Sequence, residues 1–286
     1  MAEILTLSRA VESIVRDGQH VALEGFTHLI PHAAGHEIIR QQKRDLTLYR
    51  MTPDLVYDQL IGMGVARKLV FSWGGNPGVG SLHRFRDAIE NAWPLPLEIE
   101  ERSHADLASA YVAGAAGLPL ALIRAYRGSD LPKYNKRIKF ITCPFTGEEL
   151  AATPAVNLDV AIIHAQKADR KGNVLIWGIL GVQKEAVLAA KAAIVTVEEI
   201  VDELQAPPNA CILPNWVVTA VCHVPGGAHP SYAQGYYRRD NAFYQNWDPI
   251  SRSRDNFLQW MKRHVLETAS FPDFQKSLAE PAQEVA

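Results

Sequence analysis

Apolar positions along this chain switch repeatedly between helical spacing and short strand-like runs. The stretch "LSRAVESIV" (7–15) has helical spacing, with Thr6 or Ser8 as its cap, and stops at Asp17-Gly18. "HVALEGF" predicts a strand entering a glycine turn, and "HAAGHEIIRQQ" predicts a helix. "LTLYR" then reads as a strand, "DLVYDQLIGMG" as a helix closed by glycine, and "KLVFSW" as a strand. After the loop "GGNPGVGS" come a helix in "LHRFRDAIENA", a strand in "PLEIEE" and a helix in "HADLASAYVAGAAG". Further on, "VAIIHA" and "NVLIW" predict strands, "VQKEAVLAAKA" a helix, "AIVTV" a strand and "VEEIVDEL" a helix. On that last helix Glu198, Glu199, Asp202 and Glu203 alternate with Ile200 and Val201 and are expected to form a solvated face.

Such alternation predicts the α/β class, a mostly parallel open sheet with helices on both faces. Right-handed crossovers put the strand C-termini on one edge, where open α/β sheets bind ligands. From Pro207 the pattern fades into "VPGGAHPSYAQGYYRRDNAFYQNWDP", rich in Pro, Gly, Asn and aromatics. Periodicity returns in "SRDNFLQWMKRHVLET", which predicts a helix. The expected division is a core over residues 1–206 and an extension over 207–286 that packs on the core or on a partner subunit. The closing "SLAEPAQEVA" is expected to be loosely ordered.

Composition narrows the partners. With 286 residues, 48% of them apolar, the chain can build a sizeable core. A net charge of −2 gives no electrostatic case for nucleic acid or an anionic membrane. Cys143, Cys211 and Cys222 are odd in number and widely spaced, which suits a reducing compartment rather than a disulfide framework. No signal-type core and no apolar run of about 18 residues is present, so a soluble cytoplasmic protein is expected.

Three strand exits carry candidate chemistry. The first is "EGFTHLIPH". A glycine at a strand exit lets backbone N–H groups approach an oxyanion or carboxylate closely. Gly25, Phe26, Thr27 and His28 are therefore candidate substrate-binding residues, with Thr27 and His28 adding side-chain donors. An ordinary β–α turn, with Pro31 starting the helix, accounts for the same residues. The second exit is "SWGGNPGVGS", which is neither G-x-G-x-x-G nor a P-loop. Its N–H groups can hold a small acid or a thioester carbonyl, with Asn76, Gly78, Gly80 and Ser81 as candidate binding residues. A plain loop is the other reading.

The third exit is "ERSHADL". Ser103 stands as an N-cap, with Asp106 at the capping-box position. His104 falls in the first helical turn, where a protonated imidazole is disfavoured; it is expected as a neutral donor able to polarise a carbonyl. A Ser-His-Asp triad is not expected, since adjacent Ser and His do not face one another and no G-x-S-x-G elbow exists. His164 is expected as a buried, satisfied histidine. Cys222, His223 and His229 match no zinc spacing and predict a structural turn, with no metal site. An obvious nucleophile, a metal cluster and a nucleotide loop are all missing.

Together these motifs resemble the A (α) subunit of class I coenzyme A-transferases, of the glutaconate CoA-transferase type. "DGQHVALEGFTHLIP" is similar to the family's N-terminal signature, with Glu24 where the commoner Gly-Gly-Phe form has its first glycine and a shorter gap before Pro31. The likeness continues through "NPGV", "ERSHADL", "GLPL", "VAIIHAQKAD", "NVLIWG", "IVTVEEIV" and "GAHPSY". It implies a heteromer, a heterodimer or heterotetramer, in which a B-subunit glutamate attacks the acyl-CoA. An acyl–glutamate anhydride and a glutamyl–CoA thioester follow in ping-pong fashion. The substrates implied are a coenzyme A thioester and small dicarboxylic acids, with no bound cofactor. His104 stands where related transferases usually carry Gln, as a supporting carbonyl donor, with Ser103 beside the substrate. Related A-type subunits with an acidic residue near this point serve ring-opening hydrolases acting on CoA thioesters, which is the alternative reaction. A non-enzymatic acid-binding module is the third reading.

Overall fold

The apolar runs assemble mainly into one large sheet in the computed structural model, which describes residues 2–76 and 79–279. Strand β1 (Glu3–Ile4) leads into helix α1 (Leu7–Ile14), where the Thr6 side chain accepts the Arg9 N–H as N-cap. There follow β2 (His20–Glu24), α2 (His32–Arg40), β3 (Leu46–Arg50), α3 (Leu55–Gly62) and β4 (Ala66–Phe71). Next come α4 (His83–Glu90), β5 (Glu98–Glu101) and α5 (His104–Ala115). The chain then leaves the main sheet. β6 (Leu120–Ile123), the single turn α6 (Leu131–Tyr134), β7 (Lys139–Thr142) and β8 (Glu149–Pro154) follow, and the strands form an antiparallel sheet ordered β6-β8-β7.

It re-enters with β9 (Leu158–Asp169), turns back through β10 (Val174–Ile176), passes α7 (Gln183–Leu188) and returns as β11 (Ala190–Val201). β12 (Cys211–Leu213) pairs with β10, and β13 (Ala220–His223) with β11. The main path is β1-β13-β11-β9-β2-β3-β4-β5, parallel at every step. The expected mostly parallel open sheet with helices on both faces is the fold observed.

Each sheet face buries its own apolar layer, as a parallel sheet requires. On one face Leu23, Leu48 and Ile162 pack under Ile38, Val56 and Leu60 of α2 and α3. On the other, Ala22, Ile163 and Val195 pack under Leu107 and Tyr111 of α5 and Val187 of α7.

Three sequence expectations change. "VEEIVDEL" is not a helix: β11 runs on to Val201, because β9 extends to Asp169 and supplies a parallel ladder as far as Val201↔Asp169. The acidic residues are therefore not one solvated helical face. Glu198 is buried, while Glu199 pairs with Lys167 and Asp202 with Arg170. The helix in "VQKEAVLAAKA" stops at Leu188, and its last residues join β11.

The C-terminal region is also more helical than its pattern suggests. Beyond residue 206, β12 and β13 still belong to the main sheet. Helix α8 (Asn241–Arg252) begins at Asp240, whose side chain accepts the Phe243 N–H. Then come α9 (Arg254–Met261), a π-helical turn (Lys262–Leu266) and α10 (Phe271–Ala279). Tyr244, Trp247, Phe257 and Phe274 sink into the core layer of α2 and α3, so this region wraps the core. Ser277–Ala279 of "SLAEPAQEVA" lie in α10, and the rest is outside the described residues. No helix among the described residues is long and apolar enough to cross a membrane.

Candidate functional site

The C-terminal edge of the parallel sheet gathers the exits of β2, β3, β4 and β5, and those of β9, β11 and β13. Loop 25–29 follows β2. It doubles back so tightly that a Cβ on Gly25 would stand 2.6 Å from the Leu29 carbonyl oxygen. Thr27 (φ +56°) and Leu29 (φ +53°) both adopt the left-handed region, which is costly for side chains of this kind. Such strain persists only where surrounding contacts over-determine it.

Those contacts come from segment 227–237. Ser231 Oγ donates to Thr27 O (3.0 Å), Leu29 N to Tyr232 O (2.9 Å) and Ala33 N to Gly227 O (3.0 Å). Gln234 N donates to His28 Nε2 (2.9 Å), and His28 Nδ1 lies 3.1 Å from Ile179 O. An N–H facing Nε2 makes that nitrogen an acceptor, and a carbonyl facing Nδ1 makes that one the donor. His28 is thus a neutral, Nδ1-protonated ring with both nitrogens used inside the chain, and burial lowers its pKa. Expected as a substrate donor, it instead fastens the loop. Among the described residues the Thr27 N–H has no such partner.

A buried carboxylate anchors segment 224–237 in turn. Glu198 Oε1 takes His164 Nε2 and Tyr237 Oη, each at 2.6 Å, and Oε2 takes Gly226 N at 2.7 Å. Burial pushes the Glu198 carboxyl up, but the bonds to His164, Tyr237 and Gly226 outweigh it and hold the pKa below its ordinary value. His164 also meets Thr196 Oγ1 at 2.8 Å, so it is the buried, satisfied histidine that its strand predicts.

At the β4 exit, Ser72 Oγ donates to Met51 O (2.7 Å), joining this loop to the β3 exit. Asn76 is buried, and its Oδ1 has no partner among the described residues. Gly80 and Ser81 are exposed. Gly80 sits against α8, where a Cβ would meet Asp248 Oδ1 at 2.8 Å. Gly78 lies outside the described residues.

At the β5 exit Ser103 caps α5: its Oγ accepts Asp106 N at 3.1 Å. The reciprocal half of the box runs through a third residue. Ser103 N donates to Tyr126 Oη (2.9 Å), which donates to Asp106 Oδ2 (2.6 Å). His104 is exposed beside this cap and makes no hydrogen bond among the described residues, so both its nitrogens are open.

The expected residues therefore share one edge without forming a single cluster. Loop 25–29 and His104 stand three strands apart, about 14 Å at ordinary strand spacing. Phe26, Trp73, Ile179 and Leu180 form an exposed apolar rim on the same edge. A pocket of about 380 Å³ beside loop 25–29 is lined by Tyr232, Tyr236, Tyr237, Arg238 and Arg239. A much smaller recess is lined by Thr27, Thr52, Asp54, Arg239 and Tyr244. Of these residues the sequence singled out Thr27 alone; for those from Tyr232 to Arg239 the Tyr and Arg cluster in "SYAQGYYRR" was the available signal. A larger cavity, about 750 Å³, opens elsewhere, between α8, α9 and α10, and carries none of the expected site residues. No group of three His, Cys, Asp or Glu side chains among the described residues is placed to hold a metal.

Residues 4–223 match the family described as Coenzyme A transferase. The chain belongs to the coenzyme A transferase family. Over 280 residues this transferase is 71% identical to the A subunit of the 3-oxoadipate CoA-transferase of Pseudomonas knackmussii, covering 98% of this chain and 99% of the relative. The crystal structure of glutaconate coenzyme A-transferase from Acidaminococcus fermentans superposes with a TM-score of 0.91 at 33% identity, covering 97% of this chain and 93% of that one. A cholesterol ring-cleaving hydrolase subunit of Rhodococcus jostii is 29% identical over 185 residues, 61% of this chain and 62% of that protein.

Proposed function

We propose that this chain is the A subunit of a heteromeric CoA-transferase that moves CoA from succinyl-CoA to 3-oxoadipate, yielding 3-oxoadipyl-CoA and succinate. The observation that carries the reading is the 71% identity, along nearly the whole of both chains, to a protein named as that subunit. The exposed apolar rim of Phe26, Trp73, Ile179 and Leu180 supports a B subunit seated on the strand-exit edge.

In this reading a B-subunit carboxylate attacks the succinyl-CoA carbonyl and expels CoA thiolate, leaving an acyl–carboxylate anhydride. The thiolate then attacks the enzyme carbonyl and releases succinate. 3-Oxoadipate carboxylate displaces the thiolate to form a second anhydride. The thiolate finally attacks the 3-oxoadipyl carbonyl, which frees the product and the enzyme carboxylate. His104 and the Thr27 N–H supply hydrogen bonds to carbonyl oxygens as negative charge develops on them.

The test is to assay the chain alone and with a B subunit, following new thioester from succinyl-CoA and 3-oxoadipate. Activity only in the mixture supports the reading, whereas full activity of the isolated chain sinks it. Thioester loss to water without an acceptor acid would favour the ring-cleaving hydrolase class instead.

A further inference from the structure

Glu24 has no role in the reaction above, yet it is 1% exposed at the end of β2, directly before the strained loop. Its Oε1 accepts two hydrogen bonds, from Tyr111 Oη at 2.7 Å and from Met51 N at 3.1 Å. The donors come from different exits. Met51 follows β3, and its own carbonyl accepts Ser72 Oγ and the Ser72 and Trp73 N–H groups at the β4 exit. Tyr111 lies on α5, two turns beyond His104. One carboxylate oxygen therefore joins the exits of β2 and β3, through Met51 that of β4, and the helix that carries His104.

The surroundings make this joint rigid. Arg50, fully buried, donates Nη1 to Leu23 O (2.7 Å) and Nε to Thr52 O (3.1 Å), and its Nη2 lies 3.5 Å from Asp54 Oδ2. Tyr57 of α3 accepts Leu23 N (3.0 Å) and donates to Tyr49 O (2.7 Å). The ionisable groups facing Glu24 are thus Arg50 from β3, Asp54 and Tyr57 at the start of α3, and Tyr111 from α5.

We propose that Glu24 is a positioning residue that sets the register between loop 25–29 and the His104-bearing first turn of α5. An acid suits the role because one oxygen serves two donors. Ionisation strengthens both bonds, since charge-assisted hydrogen bonds are the stronger kind. Burial pushes the Glu24 carboxyl up to about 7, against the pull of Arg50 and of its own hydrogen bonds. An opened joint returns Glu24 to its ordinary value of 4.5, so the closed joint loses its advantage as pH rises towards about 7, despite the stronger bonds of the ionised form. The catalytic consequence rests on the transferase reading; the mechanical one does not.

Amide hydrogen exchange on the full chain tests the joint without turnover. Glu24→Leu or Tyr111→Phe is expected to raise exchange by about tenfold or more in loop 25–29, at Met51 and in the first turn of α5 together. Glu24→Gln, which keeps an acceptor oxygen, is expected to leave it within about twofold at pH 6. A rise confined to one of the three segments, or no rise, overturns the proposal, and Tyr111→Phe decides it if Glu24→Leu fails to fold. With the B subunit present, turnover is expected to fall as pH rises through about 7 in the wild type. Glu24→Gln is expected to abolish that inflection. Tyr111→Phe moves it upward, because the Tyr111 bond favours the charged form. An inflection retained in Glu24→Gln counts against the role, whereas no CoA transfer by the wild-type pair defeats only the transferase reading and leaves exchange to decide.

Discussion

His164 Nε2 and Glu198 Oε1 meet at 2.6 Å across two neighbouring parallel strands, both side chains buried. Through Glu198, Gly226 and Tyr237 are fixed, and through segment 227–237 so is the strained loop 25–29. Removing one partner leaves the other buried without its match. Glu198→Ala is therefore expected to cost about 3 kcal/mol of stability, read from denaturant midpoints. The pKa of Glu198 lies below its ordinary value of 4.5, so its contribution is complete above that value and is lost as pH falls through the lower folded value. The wild type is expected to lose stability in acid more steeply than Glu198→Gln.

His104 and His28 are expected to respond oppositely to alanine. The His104 ring is exposed and makes no internal hydrogen bond. His104→Ala is expected to lower kcat of the reconstituted enzyme by about 10- to 100-fold while stability moves by less than about 0.5 kcal/mol. His28→Ala removes two anchors of the loop and is expected to lower activity and thermal midpoint together. Kinetics and thermal melts of both variants check the contrast; an inactive but fully stable His28→Ala would contradict it.

Ser103→Ala is expected to cost about 1 kcal/mol from lost capping. Tyr126→Phe breaks the same small network at its other corner, since Tyr126 Oη accepts Ser103 N and donates to Asp106. A double-mutant cycle is expected to show a coupling of about 0.5 kcal/mol or more. Strict additivity would mean that cap and tyrosine act separately.

Glu24 gives a pH signature in stability as well. Its pKa is raised from 4.5 to about 7 in the folded chain, so the benefit is complete below 4.5 and is lost as pH rises through about 7. The wild type is expected to lose up to about 3 kcal/mol across that window, and Glu24→Gln far less. Urea midpoints at pH 5 and pH 8 check the difference.

Much of this architecture follows from the sequence itself. Apolar periodicity is local, so it marks β2 to β5 and α1 to α5 nearly element by element, and the Ser103 cap needs only its neighbour three residues on. The family is legible too, because its motifs sit at the strand exits that a parallel sheet places on one edge. Tertiary structure decided the rest. "VEEIVDEL" has helical composition, but β9 offers it a ladder, and backbone pairing in a buried sheet outweighs weak local preference. His28 looks like a donor until Gln234, more than 200 residues away, donates to its Nε2. Glu24 looks like an odd glycine replacement until Tyr111 and Met51 converge on one oxygen. Hydrogen-bond partners of this kind are set by strand order, and strand order leaves no trace in local spacing.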